Sequence, residues 1–291
     1  MNYITYIITR FFSVLIGLLP FWVLYLFSDF LRFVLYHVVG YRKAVVEDNL
    51  RKCFPEKDEK EIKRLVRLSY KNLADVTVES FKGFTMSERQ IIARHKGLNP
   101  ELVESFFDDK RSVIFLPNHY GNWEWGAMSP PPQLRQDCVA LYKPLSNKLL
   151  DRYVRKNRSR TGAFLGSIYK TARIFEERKN KVTAYIMASD QSPSNAKKSI
   201  WVSFLGRETA FLHGPEMYAR KYNYPVVFVD IQRVKRGFYT MVFTVLSDQP
   251  NTMKPGEITA LYAKKLEEVI RKKPENWLWS HKRWKLKKMK P

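Results

Sequence analysis

The sequence predicts an α/β domain, a central sheet flanked by helices, behind a hydrophobic helical N-terminus. Three features carry that expectation. An uncharged apolar stretch lies near the start, short β-type runs begin beyond Arg111, and segments of helical period separate those runs. Strand and helix alternate along the chain, which is the pattern of one α/β layer system rather than of helices and strands kept apart.

The apolar stretch runs from Phe11 to Ser28, close to the length at which a helix crosses a bilayer. Pro20 in its middle predicts a kink or a split into two shorter helices. Apolar character resumes from Phe30 to Val39, interrupted by Arg32 and His37. Three readings are open here: a kinked span, an interfacial or re-entrant helical hairpin, and a buried core helix. Length favours the first two, so residues 1–40 are assigned to a membrane anchor or interfacial helices and 41–291 to a single folded domain. No small-residue cleavage site follows, which argues against a signal peptide. In a spanning arrangement Arg42, Lys43, Arg51 and Lys52 follow the segment and Arg10 alone precedes it, which leaves the body in the cytoplasm.

In the body, Glu59 to Phe81 repeats apolar residues at helical spacing (Ile62, Leu65, Val66, Leu73, Val76). Strands are predicted at Ser112–Leu116, Cys138–Tyr142, Val182–Met187, Pro225–Ile231 and Phe238–Leu246, each rich in β-branched or aromatic residues and closed by Pro, Asn, Asp or a charge. Helices are predicted at Asn147–Arg160, Thr171–Glu177, Gly214–Tyr222 and Glu257–Arg271.

Charge speaks to partners. Lysine and arginine number 51 against 28 acidic residues, a net +23, which suits an anionic membrane or a nucleic acid. No RNP, zinc-finger or basic-zipper pattern is present, so a nucleic acid is not expected. Two cysteines, Cys53 and Cys138, are too few for a disulfide framework or a paired-cysteine zinc site. The stretch His281 to Lys290 holds six basic residues with Trp284 and Leu286, either a solvated tail or a membrane-surface contact.

Chemistry concentrates in Phe115-Leu116-Pro117-Asn118-His119-Tyr120-Gly121-Asn122-Trp123-Glu124-Trp125. A buried-type strand runs into a polar turn, which places His119 beyond a strand's carboxyl end, where open α/β sheets hold ligands. Glu124, one turn into the following helix, is the expected acceptor for one imidazole nitrogen, leaving the other to act as general base. That pair suits deprotonation of an alcohol for attack on an acyl thioester. No serine or cysteine adjoins His119, so direct transfer is expected rather than an acyl-enzyme. A spacing of five disfavours a metal pair, and neither metal nor cofactor is expected. Taken alone, the pair is also what a surface histidine with a nearby carboxylate would show.

Several ordered blocks together resemble one family. NHYGNWEW is similar to the H-x4-D/E block of the glycerolipid acyltransferase superfamily, in the H-x-G-N-W-E form of the lipid A late acyltransferases. Upstream, the run from Leu18 to Glu56 resembles that family's anchor and N-L-x-x-x-F-P segment. Tyr142-Lys143-Pro144 with Asn157 to Gly162 resembles its second block, and Ala188-Ser189-Asp190-Gln191 with Val202 to Gly206 its D-Q…F-L-G block. Pro274 to Lys285 resembles its closing P-x-x-W-x-W-x-H-x-R-W-K.

The resemblance implies a glycerolipid-acyltransferase-like domain in which His119 is the base and Glu124 its partner. It implies a substrate arginine from the second block, Arg160 first and Arg158 second, to fork a phosphate. Asp190 and Gln191 would orient the acceptor or support the catalytic loop. Gly121 would admit an oxyanion or merely make the turn, and Asn118 and Asn122 would position polar groups. His95 and His213 are read as structural, and His281 as capping or packing. The implied activity moves a fatty acyl chain from an acyl thioester, on acyl carrier protein ahead of coenzyme A, to a hydroxyl of a lipid A precursor. The implied place is the inner membrane, facing the cytoplasm. Two alternatives remain: acylation of another lipid acceptor (lysophospholipid, glycerol phosphate or aminolipid) and a non-enzymatic basic membrane binder, which would leave NHYGNWEW unexplained.

Overall fold

The computed structural model describes residues 2–288. The end of the basic tail, 289–291, lies outside the described residues. Helix α1 (Asn2–Leu18) stops at Leu19-Pro20, and α2 (Phe21–Phe33) starts directly after the proline. Pro20 has no N–H to give to the preceding turn, so it ends one helix and opens the next. A wider turn, Val34–Val38, extends α2. The uncharged run is therefore divided between two helices, and among the described residues the continuous helical stretch long and apolar enough to cross a bilayer is Phe21–Val38.

The buried-core reading of this region does not survive. Trp22, Leu26, Phe30 and Phe33 form an outward stripe on α2, 69%, 63%, 62% and 51% exposed. Ile4, Ile7, Ile8, Phe11, Phe12, Leu15 and Leu18 are exposed along α1. The inward face is bound to the body. Ser28 Oγ donates to Asp75 Oδ1 at 2.6 Å, Tyr25 OH to Glu79 Oε1 at 2.8 Å, and Lys82 Nζ to the carbonyls of Gly17 and Leu19 at 2.6 and 2.8 Å.

Helix α3 (Lys43–Cys53) precedes the long α4 (Glu59–Gly83), which Asp58 caps by accepting the Glu61 N–H at 2.7 Å. There follow α5 (Glu88–Arg94), β1 (His95–Gly97), α6 (Glu101–Asp108), β2 (Val113–Leu116) and the single turn α7 (Trp123–Gly126). Next come β3 (Asp137–Tyr142), α8 (Lys148–Arg158), β4 (Phe164–Ser167), α9 (Thr171–Glu177) and β5 (Thr183–Ile186). The rest is β6 (Ser199–Phe204), β7 (Arg207–Leu212), α10 (Gly214–Tyr222), β8 (Val226–Lys235), β9 (Phe238–Ser247) and α11 (Glu257–Lys272).

Seven strands form one sheet in the order β1-β9-β8-β2-β5-β3-β4. β8, β2, β5, β3 and β4 are mutually parallel, while β9 pairs antiparallel with β8 and carries β1 beside it. Apolar clusters fill both faces, one against α3, α4 and α11 and the other under α5, α6 and α7. The five strands predicted from sequence are all present. The four others lack a continuous apolar run: β1 and β4 are short and contain glycine, and β6 and β7 form a separate hairpin with polar and charged residues among the apolar ones. Its turn, Leu205-Gly206, has φ of 53° and 71°, a left-handed pair that a leucine does not advertise.

Candidate active site

The parallel register fixes the site. Phe115 of β2 lies opposite Ile186 of β5, so the segments leaving both strands emerge side by side at one sheet edge. His119 comes three residues after Leu116 and Asp190 four after Ile186, and the two side chains meet there. Asp190 Oδ1 is 2.7 Å from His119 Nδ1, and Oδ2 accepts the His119 backbone N–H at 2.8 Å. The indole N–H of Trp277 donates to Oδ2 at 2.9 Å. Asp190 thus holds ring and backbone together, and no protein group among the described residues bonds to Nε2.

The closing segment clamps the same turn from the other side. Leu278 N donates to the His119 carbonyl at 3.1 Å, Gly121 N to the Asn276 carbonyl at 3.0 Å, and Tyr120 OH to the Lys273 carbonyl at 3.0 Å. Gly121 has φ +63°, and a Cβ there would lie 2.8 Å from the Ile231 carbonyl oxygen, so glycine is required for the turn. Its N–H is already used by Asn276, which assigns Gly121 to the turn and not to an oxyanion. Asn118 is buried beneath the loop and donates to the Val229 carbonyl at 3.3 Å. Gln191 is half-buried and makes no hydrogen bond to the His119 ring.

The expected His119–Glu124 contact is not formed. Glu124 points from α7 toward α8 and pairs with Arg158 Nη2 at 2.5 Å, each side chain about one quarter exposed. The strand order explains the exchange: β5 lies directly beside β2, so Asp190 reaches the ring first. The two arginines also trade places. Arg160 Nη2 donates at 2.5 Å to the carbonyl of Gly83, the last residue of α4, and so caps that helix end. Arg158 is the arginine beside Glu124, and its Nε is buried without a partner.

Electrostatics follow the geometry. Burial alone disfavours a charged His119, yet the charge and hydrogen bond of Asp190, with a smaller contribution from Glu124, leave its pKa raised above 6.5. Asp190 is held below the usual carboxylate range: burial opposes its charge, and the imidazole and three N–H contacts outweigh that burial. His95 is buried, bonds Ser129 Oγ through Nδ1 at 2.8 Å, and is pushed down to about 4 by burial. His281 Nε2 accepts the Ser192 N–H at 3.0 Å, next to Gln191, and burial pushes its pKa to about 4.

Glu79 is a residue that sequence reading passed over. Its side chain is 0% exposed inside α4 and accepts from Asn122 Nδ2 at 2.7 Å, Tyr239 OH at 2.7 Å and Tyr25 OH at 2.8 Å. Asn122 Oδ1 in turn caps α7 by accepting the Trp125 N–H at 2.9 Å. The turn that carries Glu124 is therefore built on Glu79, whose pKa burial raises to about 7. The available signal was an Asn72-Asp75-Glu79 row on the apolar face of α4.

Sequence comparison completes the identification. A model of the family described as bacterial lipid A biosynthesis acyltransferase matches residues 1–286. The chain belongs to the bacterial lipid A biosynthesis acyltransferase family. Among characterised members of that family, it is 25% identical over 248 residues to the lipid A biosynthesis lauroyltransferase of Escherichia coli (strain K12), covering 84% of this chain and 79% of that protein. It is 22% identical over 250 residues to the lipid A biosynthesis palmitoleoyltransferase of the same strain and, equally, to a lipid A biosynthesis acyltransferase of Shigella flexneri, in both cases over 84% of this chain and 79% of the relative. As a lipid A acyltransferase family member the chain is an enzyme of acyl transfer, with an acyl donor and a lipid acceptor.

Proposed function

We propose that this acyltransferase moves a fatty acyl chain from a thioester on acyl carrier protein to a hydroxyl of a lipid A precursor at the cytoplasmic face of the inner membrane. The observation that carries the mechanism is the His119–Asp190 pair with Nε2 left free at the carboxyl edge of the sheet. His119 Nε2 takes the acceptor's hydroxyl proton as the oxygen attacks the thioester carbonyl, forming the new C–O bond. The tetrahedral intermediate collapses, the C–S bond breaks, and the imidazolium returns its proton to the departing thiolate. Asp190 fixes the tautomer that carries hydrogen on Nδ1 and stabilises the imidazolium. Glu124 adds negative charge near the ring and holds the partly exposed Arg158 guanidinium beside it, where its remaining N–H groups would meet an oxygen of donor or acceptor.

Membrane contact follows from the outward apolar stripes of α1 and α2, which would lie in the interface while the net +23 draws the body to anionic lipid and to an acidic carrier. The test is acyl transfer by the full chain in detergent-lipid micelles, using acyl carrier protein and acyl coenzyme A in parallel. Ester formation on the lipid A precursor that is lost in His119→Ala supports the assignment. Transfer only to a lysophospholipid or glycerol phosphate would replace the acceptor, and transfer retained in folded His119→Ala would remove the base.

A further inference from the structure

Beside the His119 turn lies a cleft of about 330 Å³ between α4, the tip of the β8–β9 hairpin and the segment after α11. Leu116 of β2 pairs with Phe228 of β8, and β8 runs on to Lys235, so the hairpin tip overhangs the same sheet edge that carries His119. The cleft wall shares its backbone with the catalytic turn, because Asn276, which accepts the Gly121 N–H, also accepts from Asn72 Nδ2 at 3.1 Å.

Cations dominate the lining: Lys71, Arg233, Lys235, Arg236 and Lys273. The two arginines are spent internally. Arg233 pairs with Asp75, and Arg236 with Asp75 at 2.6 Å and Asp29 at 2.8 Å. Lys71, Lys235 and Lys273 form no ion pair among the described residues, and Glu275, the one carboxylate among the lining residues, forms none either. Three lysines less one glutamate leave a surplus of two positive charges. A phosphate monoester carries about −1.5 to −2 at neutral pH and matches that surplus.

The cleft also adjoins the apolar surface of α2. Asp29, which Arg236 grips and which Lys71 and Arg32 also face, directly precedes Phe30 of the exposed α2 stripe. Lys71 thus connects the cleft to the rim of an apolar face, as a headgroup site beside acyl chains would require. The cleft is open, with Lys71, Lys235 and Lys273 exposed to solvent, and its volume matches a small anionic group.

We infer that this cleft binds a phosphate group borne by a lipid, either the phosphate of the acceptor or that of a neighbouring bilayer lipid. The first arm of the test needs no acyl transfer. Full-length protein is sedimented with phosphatidylcholine vesicles with and without phosphatidate, comparing wild type, a Lys71→Gln/Lys235→Gln/Lys273→Gln variant, and a control with Lys110→Gln/Lys197→Gln/Lys198→Gln. Thermal unfolding verifies that all three are folded. The cleft variant loses roughly ten- to hundredfold in affinity for phosphatidate vesicles, and the control, which removes equal charge, much less. The second arm rests on the acyl-transfer reading and compares KM for acceptors with and without phosphate. A KM rise confined to the phosphorylated acceptor, with kcat unchanged, assigns the cleft to the acceptor. Unchanged KM with lost vesicle binding assigns it to bilayer lipid. Equal losses in both variants together with unchanged KM overturn the site, as does weakened carrier-protein binding with intact vesicle binding.

Discussion

Replacing Asp190 by asparagine separates the two carboxylates that compete for the His119 ring. One Asp190 oxygen faces Nδ1 at 2.7 Å, and the other receives the His119 backbone N–H and the Trp277 indole at 2.8 and 2.9 Å. Asparagine has one accepting oxygen and one donating NH2. If the oxygen keeps the two fixed N–H donors, the NH2 faces Nδ1, which must then accept. The ring proton moves to Nε2, and the general base is lost. The opposite orientation aims an NH2 at two N–H donors, at about 1–3 kcal/mol for each one left unsatisfied. Removing the carboxylate charge also withdraws about 4 kcal/mol from the imidazolium at an effective dielectric near 20, equivalent to roughly a thousandfold in rate. Single-turnover acyl transfer should therefore fall about 10³- to 10⁴-fold while thermal unfolding shows a folded protein. In the wild type, kcat/KM should decline as pH falls through a value above 6.5, because the base must be neutral and Asp190 raises its pKa. Any residual activity of Asp190→Asn should show that decline at lower pH. A loss under about tenfold in Asp190→Asn, beside a loss above a hundredfold in Glu124→Gln, would return the ring to Glu124 and refute this reasoning.

Arg160→Ala should lower stability by about 1 kcal/mol through the lost bond to the Gly83 carbonyl, and leave KM for both substrates unchanged in steady-state kinetics. Glu79 keeps its proton up to about pH 7 in the folded protein against 4.5 when exposed, so its contribution to stability is complete below 4.5 and is lost as pH rises toward 7. Glu79→Gln lacks that slope, and unfolding measured across this range should favour the variant by about 1.4 kcal/mol more per pH unit. Trp22→Gln/Leu26→Gln/Phe30→Gln should release the protein from neutral-lipid vesicles, since each side chain withdrawn from the interface forfeits about 1.5–3 kcal/mol at full burial. Undiminished sedimentation with such vesicles would remove the α2 stripe from the membrane contact.

The sheet was legible where strands are apolar runs closed by breaking residues, from Val113 to Leu116 and from Phe238 to Ser247, and the break at Pro20 followed from its missing N–H. His119 was legible because a strand-to-turn boundary is written in local sequence. Its partner was not. Asp190 lies 71 residues away and becomes a neighbour only through the placement of β5 beside β2, which no local pattern encodes. Glu124, five positions on, was the nearest carboxylate in sequence but is turned by α7 toward Arg158. Glu79 was hidden for the opposite reason: it sits on the apolar face of a well-formed helix, where a carboxylate has meaning only once Asn122, Tyr239 and Tyr25 surround it.

The most direct measurement is mass spectrometry of a lipid A precursor incubated with the purified full-length protein and acyl carrier protein loaded with a fatty acyl chain. The mass of the precursor should rise by one ester-linked acyl group, with no acylated enzyme trapped when the acceptor is omitted and no product from His119→Ala. An unaltered precursor mass with acyl ester appearing on a different lipid, or a covalent acyl-enzyme accumulating without acceptor, would contradict direct transfer to lipid A through His119.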